Sequence, residues 1–373
     1  VSGRARSMAA AANTTPPTLF YARARPSAET HRFHLKRSDI PFSVRWQTRS
    51  EAPAVMQSFH ATQCLWVYGT DPAVIQQIRG LGIGYQGTLN GLQGTEQSTP
   101  GLSAQGDKSG RHENLDGQKN MPSWMVTFKP PHYTGCCNHP AFRELFFQAA
   151  KQLVDNGVDL LHVDDWAMNA SWVMYGGVCF CEPCRAGFRT WLQQRLTPAD
   201  LEKLGIPDIA AFDYREHLRR KGVPDAATYR AKFRELPLTP QFIDFQVASM
   251  REFFREFRRR LDEWSPNRYI PVSANALLTR LDPNHNLCGV DVLDFFVGES
   301  SQNADQQTAA EYVFAAKVAE ACGLSQVVSP IPRSTARTRA ALATTYALGQ
   351  THLVPWDLYM GSDATGIQPR YFG

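Results

Sequence analysis

The stretch Gly157-Val158-Asp159-Leu160-Leu161-His162-Val163-Asp164-Asp165-Trp166 decides how the chain is read. A short apolar run, too short for a helix, is entered through a glycine and left through two acids and a tryptophan. Ahead of it, Pro140–Asn156 repeats apolar residues at the helical period, and Gly157 sits where a helix stops. Helix, glycine, strand, acidic turn is the unit of a parallel sheet covered by helices.

Working outward, the same unit recurs. The apolar runs are Cys64–Tyr68, Ile83–Leu89, Trp124–Phe128, Leu160–Val163, Tyr269–Ala274, Leu293–Val297, Gln326–Pro330 and His352–Leu358. Helical patterns at Pro72–Leu81, Gln241–Trp264, Thr308–Cys322 and Thr335–Leu348 stand among them, and Gly82, Gly323 and Gly349 repeat the stop signal. Eight runs point to a closed (β/α)8 TIM barrel. An open doubly wound sheet is the alternative, but it wants a glycine-rich phosphate loop, and Gly80, Gly82, Gly84 and Gly87 fall across a helix end and a strand. Residues 1–55 read as a small β-rich N-terminal lead-in, with apolar pieces at Thr18–Ala22 and Phe42–Trp46. Residues 56–373 read as the barrel domain, with a long helical insertion after the fourth strand at about 167–240. Little chain follows the eighth run, so either the lead-in closes the barrel or further domains follow.

With 43% hydrophobic residues the chain can bury a large core. A net charge of +4 and the absence of a basic run interleaved with aromatics argue against nucleic acid. The basic stretch Arg255–Arg260 lies on a helical pattern with Phe254, Phe257 and Leu261 and reads as a solvated face. No apolar run is long enough to span a bilayer, and no organic cofactor is implied. Secreted or periplasmic placement is preferred to cytoplasmic, and a homo-oligomer is left open.

Barrel chemistry gathers at the C-terminal ends of strands. Those ends carry Asp164, Asp165 and Glu299 together with Asn275, Asp357 and the tryptophans Trp66, Trp166 and Trp356, with His162 inside its strand. Carboxylates beside aromatics and amides suit a sugar. One acid protonates the leaving oxygen while another attacks the anomeric carbon or activates water. The expectation is a glycoside hydrolase in which Asp164 or Asp165 is nucleophile or base and Glu299 the general acid. Asn275, His162 and Asp357 orient the sugar, and Trp66, Trp166 and Trp356 stack on it. Because side chains alternate along a strand, only one of Asp164 and Asp165 is expected to face the barrel axis. A non-catalytic carbohydrate-binding barrel is the alternative. A metal-dependent hydrolase is less favoured, since no His-x-His pair occurs.

Of eight cysteines, Cys179, Cys181 and Cys184 form a C-x-C-x-x-C run. Three thiolates so close can reach one ion, and a structural zinc needs a fourth, for which Cys136 or Cys137 is nearest. Cys64, Cys288 and Cys322 lie in apolar surroundings and read as buried thiols.

Cys179-Phe180-Cys181-Glu182-Pro183-Cys184, followed by Phe188 and Trp191-Leu192, resembles the cysteine segment of glycoside hydrolase family 42 β-galactosidases. There the run follows the fourth strand, and an upstream cysteine in a C-x-N-x-P-type segment completes a zinc site. Cys136-Cys137-Asn138-His139-Pro140 matches that segment, so the resemblance implies Cys136 as the fourth ligand. The family's catalytic glutamates do not carry over. Asp164-Asp165 stands where its Asn-Glu pair would be, and the run Val327-Val328-Ser329-Pro330 offers no carboxylate for its nucleophile. An Asp after the fourth strand is similar to α-glycosidase barrels, where that Asp is the nucleophile; this is analogy at the level of fold.

Overall fold

The computed structural model describes residues 33–44, 50–93, 110–126, 132–174, 176–177, 179–276, 287–299, 309–329 and 335–355. Its main sheet is a ring of parallel strands. In chain order these are β1 (Pro41–Ser43), β2 (Gln63–Val67), β3 (Gly84–Asn90), β6 (Leu160–Asp164), β7 (Val272–Asn275), β8 (Phe295–Glu299) and β9 (Ser325–Ser329). The eighth position is shared by β10 (Thr351–His352) and β11 (Val354–Pro355). These last two flank Leu353. β10 pairs with β9 and β11 pairs with β1, which closes the barrel and rules out the open sheet. A short antiparallel pair, β4 (Leu92–Gln93) with β5 (Tyr133–Thr134), sits outside the ring.

Two strand assignments change, and they compensate. The described part of Trp124–Phe128 is not a barrel strand: Ser123–Met125 is a 3-10 turn behind Pro122, residues 127 and 128 lie outside those described, and β3 pairs directly with β6. The missing position is filled by Pro41–Ser43, which the sequence assigns to the lead-in. It lies between β2 and β11 with Phe42 opposite Cys64 and Val354. The lead-in therefore does close the barrel, at least through these residues; 1–32 and Thr18–Ala22 lie outside those described.

The helices arise where expected. α1 (Ala52–Ser58) follows β1, and α2 (Pro72–Gly80) follows β2 with Asp71 accepting from the Ala73 N–H at 2.8 Å. α3 (Pro140–Asp155) opens with proline at its first position, where the missing N–H costs nothing, and His139 accepts from Ala141 N–H. It stops at Gly157, φ +89°, a conformation that only glycine adopts without strain. α9 (Thr239–Trp264) precedes β7; α10 (Ala309–Ala321) and α11 (Thr335–Ala347) precede β9 and β10. Apolar faces of this layer bury against the outside of the ring. Phe146 meets Phe253 and Phe257 edge-on at 5.0 and 5.3 Å, each such ring contributing about 1.5–3 kcal/mol of burial.

Between β6 and α9 lies the insertion: α4 (Met168–Met174), α5 (Glu182–Arg195), α6 (Pro198–Lys203), α7 (Tyr214–Arg220) and α8 (Ala226–Lys232). It has its own aromatic core, in which Phe188 and Tyr214 pack on Phe242 of α9 at 4.9 and 4.8 Å. Among the described residues no helix is long and apolar enough to cross a membrane.

Candidate active site

Inside the ring Leu160, Phe295, Val297 and Val327 pack together. Period two then carries Asp164 of β6 and Glu299 of β8 inward at the C-terminal ends of their strands. Asn90 of β3 stands beside Asp164 in register, and Ser329 of β9 beside Glu299. Below this level the interior is closed: Gln86, His162 and Ser273 are fully buried and hydrogen-bonded to one another. Asp164, Asp165, Asn275 and Glu299 are only half-buried, so this level forms a mouth open to water.

β2 carries a bulge. Cys64 pairs with Tyr85, but Val67 pairs with Gly87, so three residues span the distance of two. Trp66 takes up the extra length at φ +56°. Its freed N–H donates to Gln86 Oε1 at 3.0 Å. The bulge turns Leu65, Trp66 and Tyr68 all toward the interior, while Cys64 and Val67 face the helices. Tyr68, which strand alternation alone does not single out, thereby reaches the acids.

Three donors converge on Asp164. The Tyr68 hydroxyl donates to Oδ2, Asn275 Nδ2 donates to Oδ1 at 2.8 Å, and the Asp165 N–H donates to Oδ1 at 2.9 Å. Such a set suits an acceptor-only carboxylate. Burial, and then the adjacent Asp164, push the Tyr68 phenol well above its ordinary value, so it remains a donor. The oxygen of Asn275 accepts from the Glu299 N–H at 3.5 Å, linking the strands that carry the two acids.

Asp165 lies just past the end of β6 in the left-handed region, φ +45°, a position that costs about 1–3 kcal/mol without glycine. The alternation that would turn it away from the axis ends there. Loss of hydration, then the charges of Asp164 and Glu299, push its carboxyl well above the usual carboxylate range, while a hydrogen bond with Asn90 works the other way. All three acids thus share one electrostatic environment.

The other sequence candidates are placed differently. His162 lies beneath the mouth, fully buried, with Nδ1 2.8 Å from Ser273 Oγ and its ring 4.7 Å from that of Trp66. Trp66 and Trp166 are each 1% exposed, so neither offers a ring face to a sugar. Trp66 fills the barrel interior, and Trp166 packs edge-on against Phe254 at 5.4 Å. Trp356 and Asp357 lie outside the described residues. Tyr68 and Asn90 are the site residues that the sequence reading passes over.

Above the mouth, in the core of the insertion, the ligand atoms of Cys136, Cys179, Cys181 and Cys184 all lie within 4.8 Å of one another, and all four residues are buried. Cys136 Sγ is 3.6 Å from that of Cys181 and 3.4 Å from that of Cys184. A disulfide would bring sulfurs to about 2.05 Å. Tetrahedral thiolates about 2.3 Å from one zinc stand about 3.8 Å apart, so the spacing fits a metal. Cys137 faces the barrel core instead, and burial pushes its thiol up. Cys64, Cys288 and Cys322 are buried.

No family model matches the sequence. A β-galactosidase (LacZ) of Lactobacillus acidophilus is 26% identical over 175 residues, 42% of this chain and 26% of that protein. An α-agarase of Alteromonas agarilytica is 25% identical over 177 residues, 45% of this chain and 12% of that protein. The chain thus spans about a quarter of the length of the β-galactosidase it matches. The catalytic domain of β-amylase from Paenibacillus polymyxa superposes with a TM-score of 0.49 at 8% identity, over 85% of this chain and 92% of that domain. In sequence, then, the chain is distantly similar to glycoside hydrolases.

Proposed function

We propose that the barrel cleaves glycosidic bonds in an oligo- or polysaccharide at the mouth formed by Asp164, Asp165 and Glu299. The observation that carries this reading is the sharing of one half-buried mouth by three acids with unlike surroundings. Glycosidic cleavage needs one carboxylate charged and another protonated. Asp164, held by Tyr68, Asn275 and a backbone N–H, is suited to be the charged one, attacking the anomeric carbon or activating water. Asp165 carries the raised proton affinity, and Glu299, two strands along the ring on β8, serves as the general acid to the leaving oxygen. Distant similarity to a β-galactosidase and an agarase supports a carbohydrate substrate.

Zinc is the metal that a buried four-thiolate set takes best. Held by Cys136, Cys179, Cys181 and Cys184, it would pin the insertion to the segment before α3. A set of four thiolates leaves no position for water, so the chemistry stays with the carboxylates.

The second reading is a carbohydrate-binding barrel without turnover, favoured by Ser329 standing at the seventh strand end where the resembling family has its nucleophile. One experiment separates the two. The full chain is incubated with a panel of bacterial and plant polysaccharides, and products are read by mass spectrometry. Wild type should release fragments, and Asp164→Asn and Glu299→Gln should each lose orders of magnitude in rate with a nearly unchanged melting temperature. Full activity in both variants defeats the catalytic assignment; binding without products supports the second reading.

A further inference from the structure

We propose that the four-cysteine cluster is a positioning device for the acidic mouth, and that Asn169 carries its geometry to Asp165. Asn169 lies in the first turn of α4, four residues past Asp165, and is fully buried. Both ends of its carboxamide are engaged. Nδ2 donates to Cys136 Sγ at 3.5 Å, to Cys184 Sγ at 3.6 Å and to Gln246 Oε1 at 2.7 Å. Oδ1 accepts from the Cys137 N–H at 2.9 Å and from His112 Nε2 at 2.8 Å. One side chain therefore joins two cysteines of the cluster, the segment before α3 and helix α9 to the start of α4.

What α4 is attached to matters because the turn before it does not hold itself. Asp165 keeps a left-handed backbone without being glycine, and the hydrogen bond that starts the next turn, Met168 N–H to Asp165 C=O, is long at 3.5 Å. A residue in that conformation persists only where its surroundings over-determine it. The surroundings here are two. Asn169 ties the downstream side to the sulfurs. On the upstream side the Asp164 C=O accepts from Gly91 N–H at 2.9 Å, and the Gly91 C=O accepts from Gly135 N–H at 2.9 Å. Gly135 is the residue before Cys136. Both routes begin at the cysteine cluster; one ends at the Asp165 C=O and the other at the Asp164 C=O.

Hydrogen bonds to metal-bound ligands fix those ligands and tune them. In this chain the same bonds run outward and fix an acid. Asp165 faces Asp164 on its own strand, Glu299 from β8 and Asn90 from β3, so a small rotation of its carboxyl changes its distance to each.

The inference rests on the proposed function for its effect on turnover, but not for its effect on the titration of Asp165. The test uses the full zinc-loaded chain with 13Cγ-labelled aspartate, the Asp165 signal being identified by its loss in Asp165→Asn. Wild type and Asn169→Ala are compared after metal analysis confirms equal zinc. The variant should release zinc to a chelator about 10–100-fold faster. Its Asp165 midpoint should fall toward the usual carboxylate range by about one pH unit, a tenfold change in proton affinity. Where wild type turns over a glycan, kcat should fall about tenfold or more with KM within about threefold. If Asn169→Ala does not fold, Gln246→Ala, which removes an Asn169 partner on α9 without touching the turn, should shift both readings in the same direction. Faster zinc release with an Asp165 titration that overlays wild type overturns the proposal. A shifted titration in a protein that hydrolyses nothing upholds it and overturns the proposed function instead.

Discussion

Asn275 Nδ2 donates to Asp164 Oδ1 at 2.8 Å while the same side chain accepts from the Glu299 N–H at 3.5 Å. The sequence marks this asparagine as a candidate for orienting the sugar; in the structure its side chain also bonds Asp164 and the backbone of Glu299. Asn275→Ala should therefore leave the fold intact and let Asp164 turn. Misplacement of a reacting group by about 1 Å can cost about 100-fold. We expect a kcat loss of that order, with little change in KM, measured on any glycan that wild type hydrolyses. Asn275→Asp should be worse, because it replaces a donor with a fourth acid in the same mouth. A KM effect without a kcat effect would return Asn275 to substrate binding.

Asp165 has a raised proton affinity, and this fixes the sign of a stability effect. Below about pH 3.9, the unfolded value, both folded and unfolded chains hold the proton and the residue contributes nothing. As pH rises through the folded value, the native state must release a proton it holds tightly, or bear a charge beside Asp164 and Glu299. Stability is therefore lost toward neutral pH. Asp165→Asn removes that loss. Its melting temperature should match wild type near pH 4 and exceed it at pH 7–8, each unit of raised pKa being worth about 1.4 kcal/mol. Thermal melts across that range check it, and a variant less stable than wild type at pH 8 would contradict it. The same substitution should lower turnover, as expected where stability is given up for chemistry.

How far the sequence was legible follows the length of each signal. The long amphipathic patterns at 140–156, 241–264 and 335–348 became helices within a residue or two, because burying a periodic apolar stripe needs nothing beyond the stripe. Phe42–Trp46 reads as an apolar piece of the β-rich lead-in, but three residues beginning with proline show no period that marks them as a ring strand; closure with Val354 does. Trp124–Phe128 is apolar but has no ring position to occupy. Strand parity allows only one of Asp164 and Asp165 to face the axis along a regular strand, and Asp164 takes that place. It failed at Trp66 and Tyr68, where the bulge adds a residue, and at Asp165, where the backbone turns left-handed. A tryptophan at a strand end is equally consistent with core and mouth, and only packing against His162 or Phe254 decides.

Tyr68 and Asp164 make a further prediction. The hydroxyl donates to Oδ2 from a fully enclosed position, so Tyr68→Phe removes one of three donors and adds nothing. A hydrogen bond to a charged acceptor is worth about 1.5–3 kcal/mol. If Asp164 is the charged carboxylate, the variant should cut turnover about 10–100-fold with little change in melting temperature. Unchanged turnover would remove Tyr68 from the machinery.

Cys136 and Cys137 are neighbours in sequence, yet one belongs to the cluster and the other to the barrel core. If the cluster holds zinc, Cys136→Ser should lose it on metal analysis and expose the insertion to protease, since metal binding to such sites carries about 10–16 kcal/mol of apparent free energy. Cys137→Ala should then keep the metal and show only the modest destabilisation of a small cavity. Equal metal loss in both would reverse the assignment of the fourth ligand.

Gly91 is the position where the acidic turn meets the rest of the chain most closely. A Cβ placed there would stand 2.2 Å from the Asp165 carbonyl oxygen and 2.7 Å from Met168 Cγ. The methionine can yield, but the carbonyl belongs to left-handed Asp165 and is backbone. Gly91→Ala must therefore push the Asp164–Asp165 peptide outward or break the Gly91 N–H bond to Asp164. Overpacking of this kind costs about 1–3 kcal/mol, which leaves a domain of this size folded. The displaced acids should lower turnover far more than the melting temperature suggests. Gly298→Ala is the control at the same level of the barrel: its Cβ would meet the Ala276 carbonyl at 2.2 Å, on the side of Glu299 rather than Asp165. If Asp165 is the more strongly coupled acid, Gly91→Ala alone should shift the 13C titration of Asp165 to a value nearer an ordinary carboxylate. Equal shifts in both variants would mean that the mouth moves as one body and that the left-handed turn has no separate role.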